Sequence, residues 1–332
     1  MVFLFPTFVL AHEVYVLDRA TVASAMAAQS PNPFNAYFGN EYNFYFWGFV
    51  TFVAFSTVVA ASIFRVFESR LDPFLYSLKK YALPVARVTV GLCFIAFAYS
   101  GNLYGSEIFL ADTFGSAAPA LQMFIGLLGI LATLGLWTRL AGAGMLLLYA
   151  LASLFYGAYV FTYTDFLGAA LLITILGGGL FSLDSIMHTQ TPAFLAFTNR
   201  LHPYAFALLR VCFGWGVLYA SVYAKFIHSQ LALEVVNQYN LTQFFPFDPL
   251  FVVLGALIIE FIAGLMVFAG LALRWTLIFL AVWLTLSLMY FQELIWPHGI
   301  LFGLAIALFL HGYDRFSIEG YVLKRRGREP VF

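Results

Sequence analysis

About nine apolar stretches, near 46–66, 82–100, 118–137, 141–161, 164–182, 203–223, 249–270, 274–293 and 297–312, are each long enough to cross the roughly 30 Å hydrocarbon core of a bilayer. Lipid offers no partners to a bare backbone, so only helices or a closed barrel survive there. Runs this long and apolar select helix. The composition agrees, since 63% of the 332 residues are hydrophobic and 10% are charged, far from a soluble domain. Net charge is zero, which gives no global field for attracting nucleic acid. Cys93 and Cys212 both fall inside apolar stretches, and there is no CxxC or Cys/His cluster. That argues against iron–sulfur, structural zinc, attached haem and a dithiol pair.

The loops predict an orientation. Arg65, Arg70, Lys79, Lys80, Arg139, Arg200, Arg274 and the tail Lys324, Arg325, Arg326 and Arg328 all fall on one side of the nine-span reading. The positive-inside rule makes that side cytoplasmic. Glu107, Asp112, Asp165, His228, Glu234, Glu293 and His298 then face the other side, together with residues 1–45 and the loop 224–247. Residues 1–45 read as an extracytoplasmic cap, with a candidate signal segment at 1–11 that lacks a basic residue ahead of its apolar run. Residues 46–81 give a leading span and a basic cytoplasmic loop.

Charges inside apolar stretches are costly and mark candidate sites. Arg210 and Glu260 are the clearest, and the first expectation is that they pair. Such a pair either serves a ligand, with Glu260 as proton acceptor, or fixes the register of two helices. Arg87 has no acidic residue at similar depth nearby. It either shares Glu260 or reaches toward lipid phosphates. A second constellation is Lys225, His228, Tyr290, Glu293, Trp296 and His298, at the outer end of the last spans. It can hydrogen-bond a quinone carbonyl and move a proton, or it is the ordinary aromatic belt with charges facing water. No HxxxH or HxH pair points to a metal, and His12, His188, His202 and His311 read as solvent-facing. Gly177-Gly178-Gly179 reads as a place of close helix approach.

Two segments, 82–184 and 203–318, share a rhythm of four spans. Arg87-Val88 with Gly91 is matched by Arg210-Val211 with Gly214, and Gly135 to Arg139 by Gly270 to Arg274. Phe181-Ser182-Leu183-Asp184 is matched by Phe316-Ser317-Ile318-Glu319. An even number of spans in each gives parallel rather than inverted repeats.

These residues resemble the DoxX-like family of small four-helix membrane proteins. The second segment carries the closer match, through Leu209-Arg210-Val211, Tyr223-Ala224-Lys225-Phe226, Glu260-Phe261-Ile262-Ala263-Gly264-Leu265 and Gly270 to Arg274. The first keeps Arg87 and the Gly135 to Arg139 turn, but Ile125 or a neighbour stands where the Glu is expected, and Asn102 replaces the Lys. The resemblance covers most of 82–318 and none of 1–80. It implies one leading span with two DoxX-like bundles in tandem, a linker at 185–202 and a basic tail at 319–332, in a prokaryotic plasma membrane.

The resemblance also implies redox work, and the leading expectation is a quinone-associated membrane subunit of an oxidoreductase. Glu260, Arg210 and His298 are then the catalytic candidates, with Lys225, His228, Tyr290, Glu293, Trp296 and Arg87 lining the ligand path. Quinone is the candidate cofactor, with no haem, iron–sulfur or metal. Two other readings stay open: an anchor or assembly factor for an extracytoplasmic protein partner, and a small-solute carrier.

Overall fold

The structure is a computed structural model that describes residues 16–38, 43–187, 198–292 and 295–326. It is mainly helical. Six helical segments are long and apolar enough to cross a membrane: Asn43–Ser100, Leu110–Leu134, Thr138–Leu176, Thr198–Ile227, Pro249–Ala269 and Leu273–Phe291. A shorter apolar helix covers Pro297–His311. Such a set belongs to a multi-pass membrane protein.

Several segments are subdivided. The first contains α3 (Asn43–Leu78) and α4 (Ala82–Ser100), joined by a 3-10 turn at Lys79–Tyr81. A two-stranded hairpin, β1 (Asn102–Leu103) and β2 (Gly105–Phe109), follows α4. It is a local departure from the all-helical expectation. After the short α5 (Leu110–Phe114) come α6 (Ala118–Leu134), α7 (Thr138–Tyr156), a 3-10 stretch at Gly157–Tyr163, α8 (Thr164–Leu176) and α9 (Leu183–Met187). The later part holds α10 (Ala205–Val222), a π-helical turn at Tyr223–Ile227, α11 (Ser229–Gln238), α12 (Pro249–Ala269), α13 (Leu273–Phe291), α14 (Ile295–His311) and α15 (Ile318–Arg326). Two short N-terminal helices, α1 (Arg19–Ala27) and α2 (Asn35–Phe38), precede them all.

Local chemistry sets the boundaries. The Asp18 carboxylate accepts from the backbone N–H groups of Ala20 and Thr21 and starts α1, while Asp248 ahead of Pro249 starts α12. Helix α6 ends at Gly135 and α12 at Gly270, both left-handed, with φ of 69° and 67°. Helix α8 stops at Leu176, short of the expected residue 182, because Gly177 turns the chain at φ 77°. The three consecutive glycines are therefore a turn at a helix end. Gly177 also lies against the Arg139 guanidinium, where a Cβ would come within 3.1 Å.

Small residues bring the helices together. Where α4 meets α6, a Cβ on Gly129 would lie 2.7 Å from the Ile95 backbone nitrogen. Where α10 meets α12, one on Gly264 would lie 2.7 Å from the Leu218 nitrogen. Backbones this close leave no room for a methyl group, and lipid-embedded helices attract mainly through such packing. Two further contacts join the early and late helices, α8 with α10 and α4 with α14.

Helix α3 behaves differently. Its 36 residues extend roughly 54 Å at 1.5 Å per residue, well beyond the expected 46–66 span. None of its most apolar 18-residue window is buried inside the protein. It touches the rest through Phe49 on Phe251, Phe64 on Trp275 and a buried charged patch near its end. The N-terminal helix α1 packs on α11, where the Tyr239 hydroxyl donates to the Val16 carbonyl at 3.0 Å. Ser229 Oγ donates to the Pro31 carbonyl.

Candidate functional site

Arg210 lies in the second turn of α10 and is 2% exposed. Helices α10 and α12 run antiparallel, so this turn meets the last turn of α12 rather than its middle. Arg210 Nη1 donates to the carbonyls of Val267 and Phe268, and Nε donates to Asp314 Oδ2 at 2.7 Å. Glu260 is seven residues before Val267, about 10 Å along the helix. The expected Arg210–Glu260 pair is therefore not formed.

Arg87 corrects a second expectation. It is 1% exposed and reaches neither Glu260 nor the lipid surface. Its guanidinium donates to the carbonyls of Ala132 and Thr133 at 2.7 Å and of Phe181 at 2.9 Å. The end of α6 thus supplies the partial negative charge that a carboxylate supplies elsewhere. Arg87 and Arg210 serve their helix ends as structural donors.

Glu260 has other partners. Its Oε2 pairs with Lys225 Nζ at 2.9 Å, and its Oε1 accepts from the Trp283 indole at 3.3 Å. The Lys225 and Glu260 side chains are 11% and 21% exposed. Glu260 is twelfth of the 21 residues of α12, at the centre of a helix of spanning length. Lys225 belongs to the π-helical turn that extends α10. π-Helical turns often mark functional positions. Opposite charges, an indole and partial access thus meet midway along an apolar helix. The sequence singled out Lys225 and Glu260 but did not join them, and it missed Trp283, whose spacing from Glu260 carries no local signal.

The remaining candidates disperse. Tyr290 donates to the Tyr239 carbonyl at 3.1 Å. His228 packs on the Tyr223 ring at 4.6 Å, and burial holds its imidazole below the usual pKa. His298 is buried near the start of α14 rather than facing water beside an aromatic belt, and His311, expected to face solvent, stacks on the Phe206 ring at 3.8 Å. A Cβ on the next residue, Gly299, would lie 3.8 Å from Cys93 Sγ of α4. Glu293 and the side chain of Trp296 lie outside the described residues. Among the described residues, no group of three or more His, Cys, Asp or Glu side chains gathers as a metal site.

Two polar clusters were not anticipated. At the end of α3, Glu68 is 1% exposed and accepts from Arg274 Nη1 at 2.9 Å and from the Tyr313 hydroxyl at 2.8 and 2.9 Å. Arg274 also pairs with Asp72 at 2.8 Å, and Arg65 with Glu319 at 2.6 Å. Burial raises the pKa of Glu319. The second cluster lies beneath the hairpin. Glu107 Oε1 accepts from the Tyr159 hydroxyl at 2.6 Å and from the Tyr163 hydroxyl. Burial pushes the Glu107 carboxyl up to about 7, against the opposing effect of those phenols. Asn102 is buried and donates to the Ser106 carbonyl at 3.0 Å.

Comparisons with protein-family models, with curated proteins and with solved structures find no match to this chain.

Proposed function

We propose that the chain is a tandem pair of DoxX-like four-helix units behind a leading helix, and that the second unit binds a quinone headgroup at Lys225 and Glu260. What supports the duplication is the recurrence of contacts at two fixed offsets, 123 residues for the first helix of each unit and 135 residues for the rest. The acceptors of Arg87, Ala132 and Thr133, correspond to the acceptors of Arg210, Val267 and Phe268. The Asp184 N–H donates to the Gly135 carbonyl, as the Glu319 N–H does to that of Gly270. Gly168 against Cys212 and Gly303 against Thr89 are matched in the same way between the units. In this reading the arginine-bearing ends are cytoplasmic and α1 and α2 cap the opposite side of a prokaryotic plasma membrane.

The observation that carries the ligand reading is the 2.9 Å Lys225–Glu260 pair at the centre of α12, partly open to its apolar surroundings. A quinone brings two carbonyl acceptors that take up two electrons and two protons. Lys225 Nζ donates a hydrogen bond to such a carbonyl and stabilises the charge that reduction places there. Glu260 holds and passes the proton at Oε2, and its opposite charge keeps Lys225 positioned. Trp283 supplies an apolar wall and fixes Oε1. Arg210 and Arg87 stand outside this site, as holders of helix ends. The electrons come from a reduced partner protein or substrate.

The test is mass spectrometry of organic extracts from protein purified with native lipid, comparing wild type with Glu260→Gln and Lys225→Met. Stoichiometric quinone in the wild type, lost in either variant, is the expected result. Phospholipid alone in all three refutes the quinone reading. It would favour an anchor that holds a partner on the face formed by α1 and α11.

A further inference from the structure

A row of oxidisable rings runs between the two halves of the protein, independently of the Lys225–Glu260 site. Trp215, Tyr219 and Tyr223 stand four residues apart on α10 and its π-helical extension, with ring centroids 6.2 and 6.1 Å apart. Tyr223 meets Tyr159 at 5.6 Å, Tyr159 meets Tyr163 at 5.7 Å, and Tyr163 meets Tyr104 at 6.0 Å. Every step is within the range of direct ring contact.

Packing alone does not account for this choice of residues. The chain has 39 Phe against 19 Tyr and 6 Trp, so rings chosen for packing would mostly be Phe. Tyr104 is 1% exposed and its hydroxyl has no hydrogen-bond partner among the described residues, a burial that costs about 1–3 kcal/mol and that Phe would avoid. Tyr159 and Tyr163, in contrast, both donate to one carboxylate oxygen, Glu107 Oε1. A phenol loses an electron readily only when its proton has somewhere to go, and Glu107 is that acceptor. At the other end, Trp215 is 39% exposed about ten residues into α10, where lipid surrounds it.

We propose that Trp215, Tyr219, Tyr223, Tyr159 and Tyr163 form a one-electron relay that moves an oxidising equivalent from the lipid-facing indole to the two tyrosines held by Glu107. The oxidant is a lipid peroxyl radical. It takes a hydrogen atom from the Trp215 indole, giving a lipid hydroperoxide and a neutral tryptophanyl radical. An electron then passes along the row from Tyr163 or Tyr159 to Trp215. The indole nitrogen takes a proton from the medium, and the phenol proton moves to the Glu107 carboxylate. The products are restored tryptophan, a tyrosyl radical and a neutral Glu107 carboxyl, so charge and atoms balance.

The experiment uses the full chain in lipid nanodiscs with a lipid-anchored ruthenium photo-oxidant and a sacrificial electron acceptor, sampled by freeze-quench electron paramagnetic resonance. Wild type is expected to give a tyrosyl signal that Tyr163→Phe alters. Trp215→Phe should abolish that signal, and Tyr159→Phe should leave the radical on the α10 side of the break. Each substitution retains a ring of the same shape. Should Tyr159→Phe misfold through its lost bond to Glu107, Tyr219→Phe interrupts the row at a step that does not touch the carboxylate. A tyrosyl signal unchanged by Trp215→Phe and by either interruption overturns the proposal. So does a signal arising instead from an exposed ring such as Tyr99.

Discussion

Replacing Glu68 by alanine tests what holds α3 in place. The carboxylate is 1% exposed and accepts from Arg274 at 2.9 Å and from the Tyr313 hydroxyl, with Arg65 at 3.4 Å. Removing one partner of a buried ion pair typically costs 3–5 kcal/mol, because the other charge is left uncompensated. Here Asp72 remains 2.8 Å from Arg274, so the guanidinium keeps one carboxylate and the cost falls toward the lower end, about 3 kcal/mol. The Tyr313 hydroxyl loses its carboxylate acceptor at the same time and adds about 1 kcal/mol. Equilibrium unfolding in mixed micelles should therefore show a loss near 3–4 kcal/mol. A cycle with Arg274→Ala should give a coupling of about 1.5–3 kcal/mol. A loss below about 1 kcal/mol, the scale of an exposed surface pair, would refute the reasoning and mean that lipid contact alone holds α3.

Further outcomes can be checked in the same preparation. Glu107 has a folded pKa of about 7, above its ordinary value, so the folded state binds the extra proton and stability falls as pH rises from the ordinary carboxylate range through 7. Thermal unfolding between pH 5 and 8 should show that fall in wild type and a shallower one in Glu107→Gln, since burial also raises the Glu319 carboxyl. A Tyr104→Phe variant removes an unpartnered buried hydroxyl and should be more stable by about 1 kcal/mol; a lower unfolding midpoint would contradict this. Gly264→Leu should separate α10 from α12 and cost more than about 3 kcal/mol, whereas the same change at Gly48, with open space around it, should cost under about 0.5 kcal/mol.

The helices were legible because apolar runs of spanning length leave few alternatives, and the turns at Gly135 and Gly270 were visible as repeated strings. The partners of the charges were not. Arg210 was recognised as an intramembrane cation, yet its carboxylate, Asp314, lies beyond α14 and reaches it only because the chain folds back under the helix end. The strings ending in Asp184 and Glu319 were read as the close of each segment. Their work is different: Asp184 accepts from the N–H groups of Trp137 and Thr138 and closes the start of α7. The Glu107 cluster was hidden because its carboxylate sits on a short hairpin and its phenols on a 3-10 stretch, with no helical period linking them. Lys225 and Glu260 were each singled out without being joined, and antiparallel packing of α10 on α12 brings them together.

Order of synthesis gives the α3 contact another meaning. Glu68 lies near the end of α3, but its partner Arg274 follows 206 positions later and Tyr313 later still. At ~5–20 residues per second, the carboxylate waits on the order of ten to forty seconds for Arg274. During that interval the carboxylate has Arg65, three residues earlier on α3, as its cation. The buried contacts of α3 with Arg274 and Tyr313 thus close only after α13 and the residues beyond α14 have been made.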